Sequence, residues 1–150
     1  MDDKKTVNVL FVCAGNSVRS QMAEGWGKHL CNGKIYFTSA GISPSGVHPL
    51  AVETMRSVGI DISHHDSRGL DENILNRANY IITLADSIKR YSAYFPDSAT
   101  HIHWSIPNPD AMCGKDLTRE QAYDTVRDLI KGKIDDLLRD EFGYSIAPIA

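Results

Sequence analysis

VNVLFVCAGNSVRS, residues 7–20, is an apolar run that ends on a cysteine and is followed, after five further residues, by an arginine. Val7, Val9, Leu10, Phe11 and Val12 are β-branched or large apolar residues in a run far too short for a membrane span, the pattern of a parallel strand covered on both faces. Cys13 falls at the carboxyl end of that strand. Gly15 and Asn16 tolerate positive φ, so the backbone can turn successive N–H groups inward before Ser20 and a helical stretch take over. The expected product is an anion nest, Ala14-Gly15-Asn16-Ser17-Val18-Arg19, at a helix N-terminus. The nest, the helix end and the Arg19 guanidinium all favour an ionised sulfur at Cys13. Arg19 presents a planar group that can hold two oxygens of a tetrahedral oxyanion, a geometry lysine lacks. Ser17 and Ser20 add hydroxyls within reach. A Walker-type nucleotide loop is excluded, because no Gly-Lys-Ser/Thr follows the strand.

Outward from this segment, strands and helices alternate. The patterning predicts strands at 6–13, 34–39, 79–84 and 100–104, and helices at 20–31, 49–58, 71–77, 86–94 and 118–141. Pro49 suits the first turn of its helix, and Thr118 with Gln121 forms a capping box opening the last one. On that last helix Ala122, Val126, Leu129, Ile130, Ile134, Leu137 and Leu138 share one face, the mark of a docked amphipathic helix. Such alternation predicts a parallel sheet wrapped by helices, with ligands beyond the carboxyl ends of the strands, where Cys13 lies. A length of 150 residues suits one domain, 1–150, with a substantial core. Three cysteines, no charged-then-apolar leader and no long apolar run lead to the expectation of a reducing, cytoplasmic location without membrane attachment. Sixteen basic residues are interspersed with nineteen acidic ones, a net charge of −3, so no basic stripe points to nucleic acid.

From Val9 onward the chain resembles the low-molecular-weight protein tyrosine phosphatase superfamily and, within it, the thiol-coupled arsenate reductases. The likeness runs over about residues 6–140. FVCAGNSVRS is common to both branches. Gln21-Met22-Ala23-Glu24-Gly25-Trp26 is similar to the reductase branch, since phosphatases usually place a proline at position 21. Ser39-Ala40-Gly41, Gly46-Val47-His48-Pro49 and Gly59-Ile60-Asp61-Ile62-Ser63 also read like a reductase. The resemblance implies a flavodoxin-like, four-stranded parallel sheet flanked by helices, with the Cys-x5-Arg phosphate-binding loop after the first strand. It further implies Cys13 as nucleophile, Arg19 as oxyanion clamp, Ser20 as hydrogen-bond donor to the thiolate and Asn16 as the residue that holds the loop's shape.

The chain departs from that family at three places. Thioredoxin-coupled reductases pass the oxidising equivalent through cysteines that follow a Thr-Leu; here Thr83-Leu84 precedes Ala85, and no cysteine lies between positions 32 and 112. In the family an aspartate before a proline acts as general acid, whereas Trp104-Ser105-Ile106-Pro107-Asn108-Pro109-Asp110 puts Asn108 there, and an amide has no proton to donate at neutral pH. Arg68 aligns with an aspartate that helps some reductases bind potassium, so a fixed cation is expected to replace or exclude that ion. Asp110, two residues beyond Asn108, is a candidate substitute acid. Asp110 and Ala111 stand where phosphatases of this type often carry tyrosines.

Cys113, in the loop expected to overhang the site, is a candidate resolving thiol, with a bystander role as its alternative. Cys31, at the far end of the first helix, reads as filler. The pairs His101/His103 and His64/His65 lack a third ligand at metal spacing, so no metal is expected. The expected activity is therefore arsenate reduction through a Cys13 arseno-thiol, with a small oxyanion as substrate (arsenate, with phosphate or sulfate as analogues) and no bound cofactor. With the internal relay missing, the reductant is expected to be an external thiol such as glutathione, mycothiol or bacillithiol, with a glutaredoxin-type protein as a further partner. The alternatives are a phosphatase working through a phospho-cysteine, and a catalytically quiet oxyanion-binding regulatory module.

Overall fold

A computed structural model describes residues 6–31 and 33–144. Four parallel strands, β1 (Val7–Cys13), β2 (Ile35–Gly41), β3 (Tyr80–Thr83) and β4 (Thr100–His103), form one sheet in the order β2-β1-β3-β4. Helices α1 (Arg19–Leu30), α2 (Pro49–Arg56), α3 (Glu72–Arg77), α4 (Pro109–Met112) and α5 (Arg119–Phe142) flank it. This is the flavodoxin-like α/β fold. β1 is central, and Val9 to Val12 are almost completely buried, as a strand covered on both faces requires.

Register places Cys13 opposite Gly41 of β2 and Val12 opposite Thr83 of β3, so β1, β2 and β3 end at one rim. Below that rim Phe11 stacks on Phe37 and contacts Trp104, and the Trp26 indole donates to the Arg127 carbonyl of α5. α1 and α5 pack together on this side of the sheet. The capping box of α5 forms as expected: Gln121 N–H donates to Thr118 Oγ1 at 3.0 Å, and Thr118 N–H to Gln121 Oε1 at 2.9 Å. The helix ends on Gly143, whose φ of 68° is the left-handed conformation that glycine adopts without strain.

Most expected elements shift by only one or two residues at their ends. Residues 86–94 instead form a 3-10 helix, closed by i→i+3 bonds such as Phe95 N–H to the Ser92 carbonyl. α4 is a single turn that periodicity could not reveal, started by Asn108 as N-cap and Pro109 in the first turn. On α5, Leu129 is 40% exposed while Tyr123 is fully buried. Leu129 lies at the edge of the stripe centred on Val126, Ile130 and Leu137, and the Tyr123 ring takes the interior position. No helix among the described residues is long and apolar enough to cross a membrane.

Candidate active site

The loop from Cys13 to Arg19 is shaped from outside by the segment after β2. Ile42, Ser43, Ser45 and His48 donate their backbone N–H groups to the carbonyls of Cys13, Ala14, Gly15 and Ser17. The Asn16 carbonyl takes Gln21 Nε2. With these carbonyls drawn outward, the loop's own N–H groups turn the other way, and among the described residues those of Gly15 to Val18 donate to no protein acceptor. That is the geometry of an anion nest. Within the loop from Cys13 to Arg19 only Asn16 takes positive φ, 47°. A Cβ at Gly15 would lie 2.9 Å from the hydroxyl of exposed Ser45, which would have to turn aside.

Asn16 is fully buried and fixes the loop's interior. Its Oδ1 accepts from Arg68 N–H at 2.8 Å, so its amide nitrogen must face Ser20 Oγ at 2.8 Å and Ser39 Oγ at 2.9 Å. Ser20 Oγ therefore accepts from Asn16 and keeps its own proton for Cys13 Sγ, 2.9 Å away. Ser39 donates in turn to the buried Glu24 carboxylate, which is also paired with Lys28. Gln21, at the phosphatase proline position, is buried and donates to the Asp66 carbonyl while its Oε1 meets His65 Nδ1.

Arg68 contributes its backbone rather than its charge. Its N–H holds Asn16, whereas its side chain lines a separate cleft with Tyr36, Ile74 and Arg77. The expectation of a guanidinium standing at a cation position is corrected accordingly. Beside Asn16, the Glu24 carboxylate is shared between the Lys28 ammonium and the Ser39 hydroxyl.

Cys13, Gly15, Ser17, Val18, Arg19, His48, Asn108 and Asp110 line a cleft of about 180 Å³ at the carboxyl rim of the sheet. Arg19 Nη1 is anchored on the Ile106 carbonyl at 2.9 Å, which ties the guanidinium to the chain leaving β4. Asn108 Oδ1 accepts from Asp110 N–H and caps α4. Asp110 is engaged elsewhere than the substitute-acid reading needs: Oδ1 takes Arg119 Nε at 2.7 Å and Oδ2 takes the Tyr123 hydroxyl at 3.1 Å. The Arg119 hydrogen bond holds the Asp110 carboxyl below the usual carboxylate range, so it carries no proton at neutral pH.

Cys113 is half-buried at the C-terminal end of α4, its thiol donating to the Asp110 carbonyl, and it does not line the cleft. Cys31 is buried at the end of α1. His101 and His103 both reach Thr83 Oγ1, and His103 Nε2 also meets Asp86 Oδ1 at 2.7 Å, a clasp between β4 and the 3-10 segment. Arg119 and the cleft-lining His48 escaped the sequence reading as site residues. They stand far apart in the chain, and no local spacing announces their meeting.

A parallel sheet whose first strand delivers a cysteine and an arginine-closed loop to its carboxyl rim defines a thiol-based oxyanion enzyme. The chain belongs to the low-molecular-weight phosphotyrosine protein phosphatase family, whose model matches residues 8–143, and to the superfamily that this family forms with the arsenate reductases. It is 41% identical over 133 residues to arsenate reductase 2 of Staphylococcus epidermidis, covering 89% of this chain and 95% of the relative. An arsenate reductase solved in the reduced state superposes with a TM-score of 0.71 at 33% identity, covering 89% of this chain and 97% of that one. The low-molecular-weight protein tyrosine phosphatase of T. tengcongensis superposes with a TM-score of 0.76 at 26% identity, covering 89% and 99%.

Proposed function

We propose that the protein reduces arsenate to arsenite, with Cys13 as nucleophile and an external small thiol as reductant. The observation that carries this reading is the acid side of the cleft. Asn108 is an amide occupied as a helix cap, and Asp110 is held as a carboxylate by Arg119. Neither can protonate the basic oxygen of an ester leaving group. Arsenate needs no such donor, because its own hydroxyls supply the proton for a departing water. The likeness to arsenate reductases supports the same choice.

In this reading the N–H groups of Gly15 to Val18 and the Arg19 guanidinium hold the oxyanion, and the Ser20 hydroxyl steadies the Cys13 thiolate. The sulfur attacks As(V), an S–As bond forms and water leaves. An external thiolate then attacks Cys13 Sγ; the S–As electron pair passes to arsenic, which departs as As(III) arsenite. Cys13 is left in a mixed disulfide, and a second thiol releases it as the external disulfide forms. Glutathione, mycothiol and bacillithiol fit this role, with a glutaredoxin-type protein able to perform the last exchange.

The test is to supply arsenate with a panel of these thiols and measure arsenite, alongside phosphate release from an aryl phosphate. Thiol-dependent arsenite with slow phosphate release is expected. Rapid ester hydrolysis without arsenite would instead assign the phosphatase activity of the other branch. Cys113→Ser should keep its arsenite yield; loss of turnover, with a Cys13–Cys113 disulfide trapped in the parent protein, would make Cys113 the resolving thiol in place of the external one.

A further inference from the structure

The rim of the cleft holds a contact that cannot be a hydrogen bond. His48 Nδ1 accepts from the Leu50 backbone N–H at 3.0 Å, as N-cap of α2. An imidazole with its lone pair on Nδ1 carries its proton on Nε2. Yet Nε2 faces Arg119 Nη2 at 3.2 Å, and a guanidinium nitrogen is only ever a donor. Two N–H donors thus converge with no acceptor between them. Both are held in place from beneath by one buried side chain: the His48 ring lies 5.8 Å from the Tyr123 ring centroid, and the Arg119 guanidinium 5.6 Å above the same ring. Asp110 takes Arg119 Nε and the Tyr123 hydroxyl, which leaves the Nη2 edge turned toward His48.

We propose that His48 Nε2–H and Arg119 Nη2–H form a carboxylate site at the mouth of the catalytic cleft, and that its ligand is the carboxylate of the reducing thiol. This rests on the reductase reading above. His48 and Asp110 line the same cleft as Cys13, so a carboxylate bridging the two donors places its molecule at the opening through which Cys13 Sγ is reached. A carboxylate there converts a donor–donor contact into two charge-assisted hydrogen bonds, the one from Arg119 being also an ion pair. Selection among thiols then follows from the carboxylate rather than from the sulfur.

The experiment compares kcat/KM for mercaptoacetate and 3-mercaptopropionate with that for 2-mercaptoethanol and cysteamine. Their ratio is read in the parent protein and in Arg119→Ala, Arg119→Lys and His48→Asn. Asparagine retains an oxygen that can cap α2, so the last variant tests the Nε2 donor in a folded chain. The parent protein should favour the carboxylated thiols, and Arg119→Ala should lower that preference about 10- to 100-fold, the worth of a hydrogen bond to a charged group. In parallel, (methylthio)acetate, which cannot exchange, is titrated into protein saturated with phosphate while the His48 ring resonances are followed by NMR. Shifts in the parent that vanish in Arg119→Ala support the site, even if no thiol yields arsenite, an outcome that would remove the reductase reading alone. Equal use of all four thiols, with His48 resonances unmoved, overturns the carboxylate site and leaves the reductase reading standing.

Discussion

Among the described residues Cys13 Sγ has one side-chain hydrogen-bond partner, the Ser20 hydroxyl, and the direction of that bond is set through Asn16, whose amide Arg68 N–H fixes. Cys13→Ser should abolish arsenate reduction and any ester hydrolysis while keeping phosphate binding, because the nest and Arg19 survive and only the nucleophile is lost. Calorimetric titration with phosphate beside an activity assay checks both halves. Turnover by the variant would reveal another nucleophile. Asn108→Asp should raise hydrolysis of phosphomonoesters, most for alkyl leaving groups and least for nitrophenolate, within the ~10²–10⁴-fold span of general acid catalysis. Aspartate caps as well as asparagine, so α4 should remain. If Asn108→Asp leaves every ester unchanged while Asp110→Asn removes a residual activity, Asp110 is the working acid after all. The Cys13 loop was legible because its parts are adjacent in sequence. The Asp110–Arg119–Tyr123 cluster was not, since it depends on how α4 meets α5.

At the scale of elements, the end of β2 decides whether the loop after β1 can close. Gly41 sits opposite Cys13, and a Cβ there would lie 2.7 Å from Asn16 N and 2.9 Å from the Ala14 carbonyl oxygen. Both neighbours are backbone, so neither can rotate away. Gly41→Ala should destabilise the fold by about 1–3 kcal/mol, as overpacking does, and should weaken phosphate binding more than that loss alone implies. Urea denaturation with and without phosphate separates the two effects, and a variant that phosphate protects as fully as the parent would free Gly41 from this role. The glycine was visible in the Ser39-Ala40-Gly41 signature, but its purpose needs the register of β2 on β1. Elements with a strong stripe or cap, such as α2 and α5, could be read from sequence. α4 was missed because a single turn leaves no period to detect, while the helix expected at 86–94 is present with the tighter 3-10 winding, which an apolar pattern does not tell from an α-helix.

For the molecule as a whole, the alternation of strands and helices was enough to fix the sheet class, while the buried polar network that joins α1, β2 and the segment after α2 left no pattern in the sequence. His65 belongs to that network. Its side chain is 3% exposed, Nδ1 meets Gln21 Oε1 at 2.9 Å, and Nε2 lies 3.9 Å from the Glu24 carboxylate. Since Gln21 Nε2 is spent on the carbonyls of Asn16 and Asp66, Oε1 faces the imidazole and Nδ1 is the protonated nitrogen. Burial pushes His65 below its ordinary value of 6.5, an effect that Lys28 and His64 reinforce and that Glu24 and Asp61 oppose. The unfolded chain therefore binds a proton here more readily than the folded one, and stability must fall as pH drops below about 6.5. The carboxyls of Asp86 and Asp110, held below the usual range, contribute fully across neutral pH and lose that contribution only as pH falls through the carboxylate range. Melting temperature measured between about pH 8 and pH 5.5 should thus decline, in a window where unperturbed histidines titrate and unperturbed carboxyls do not. His65→Gln, which can still donate to Gln21, should lessen that decline, leaving the part due to His101, which burial also pushes below 6.5. A melting temperature that instead rises on acidification, and loses the rise in His65→Gln, would mean that the pull of Glu24 outweighs burial and that His65 is charged in the folded protein.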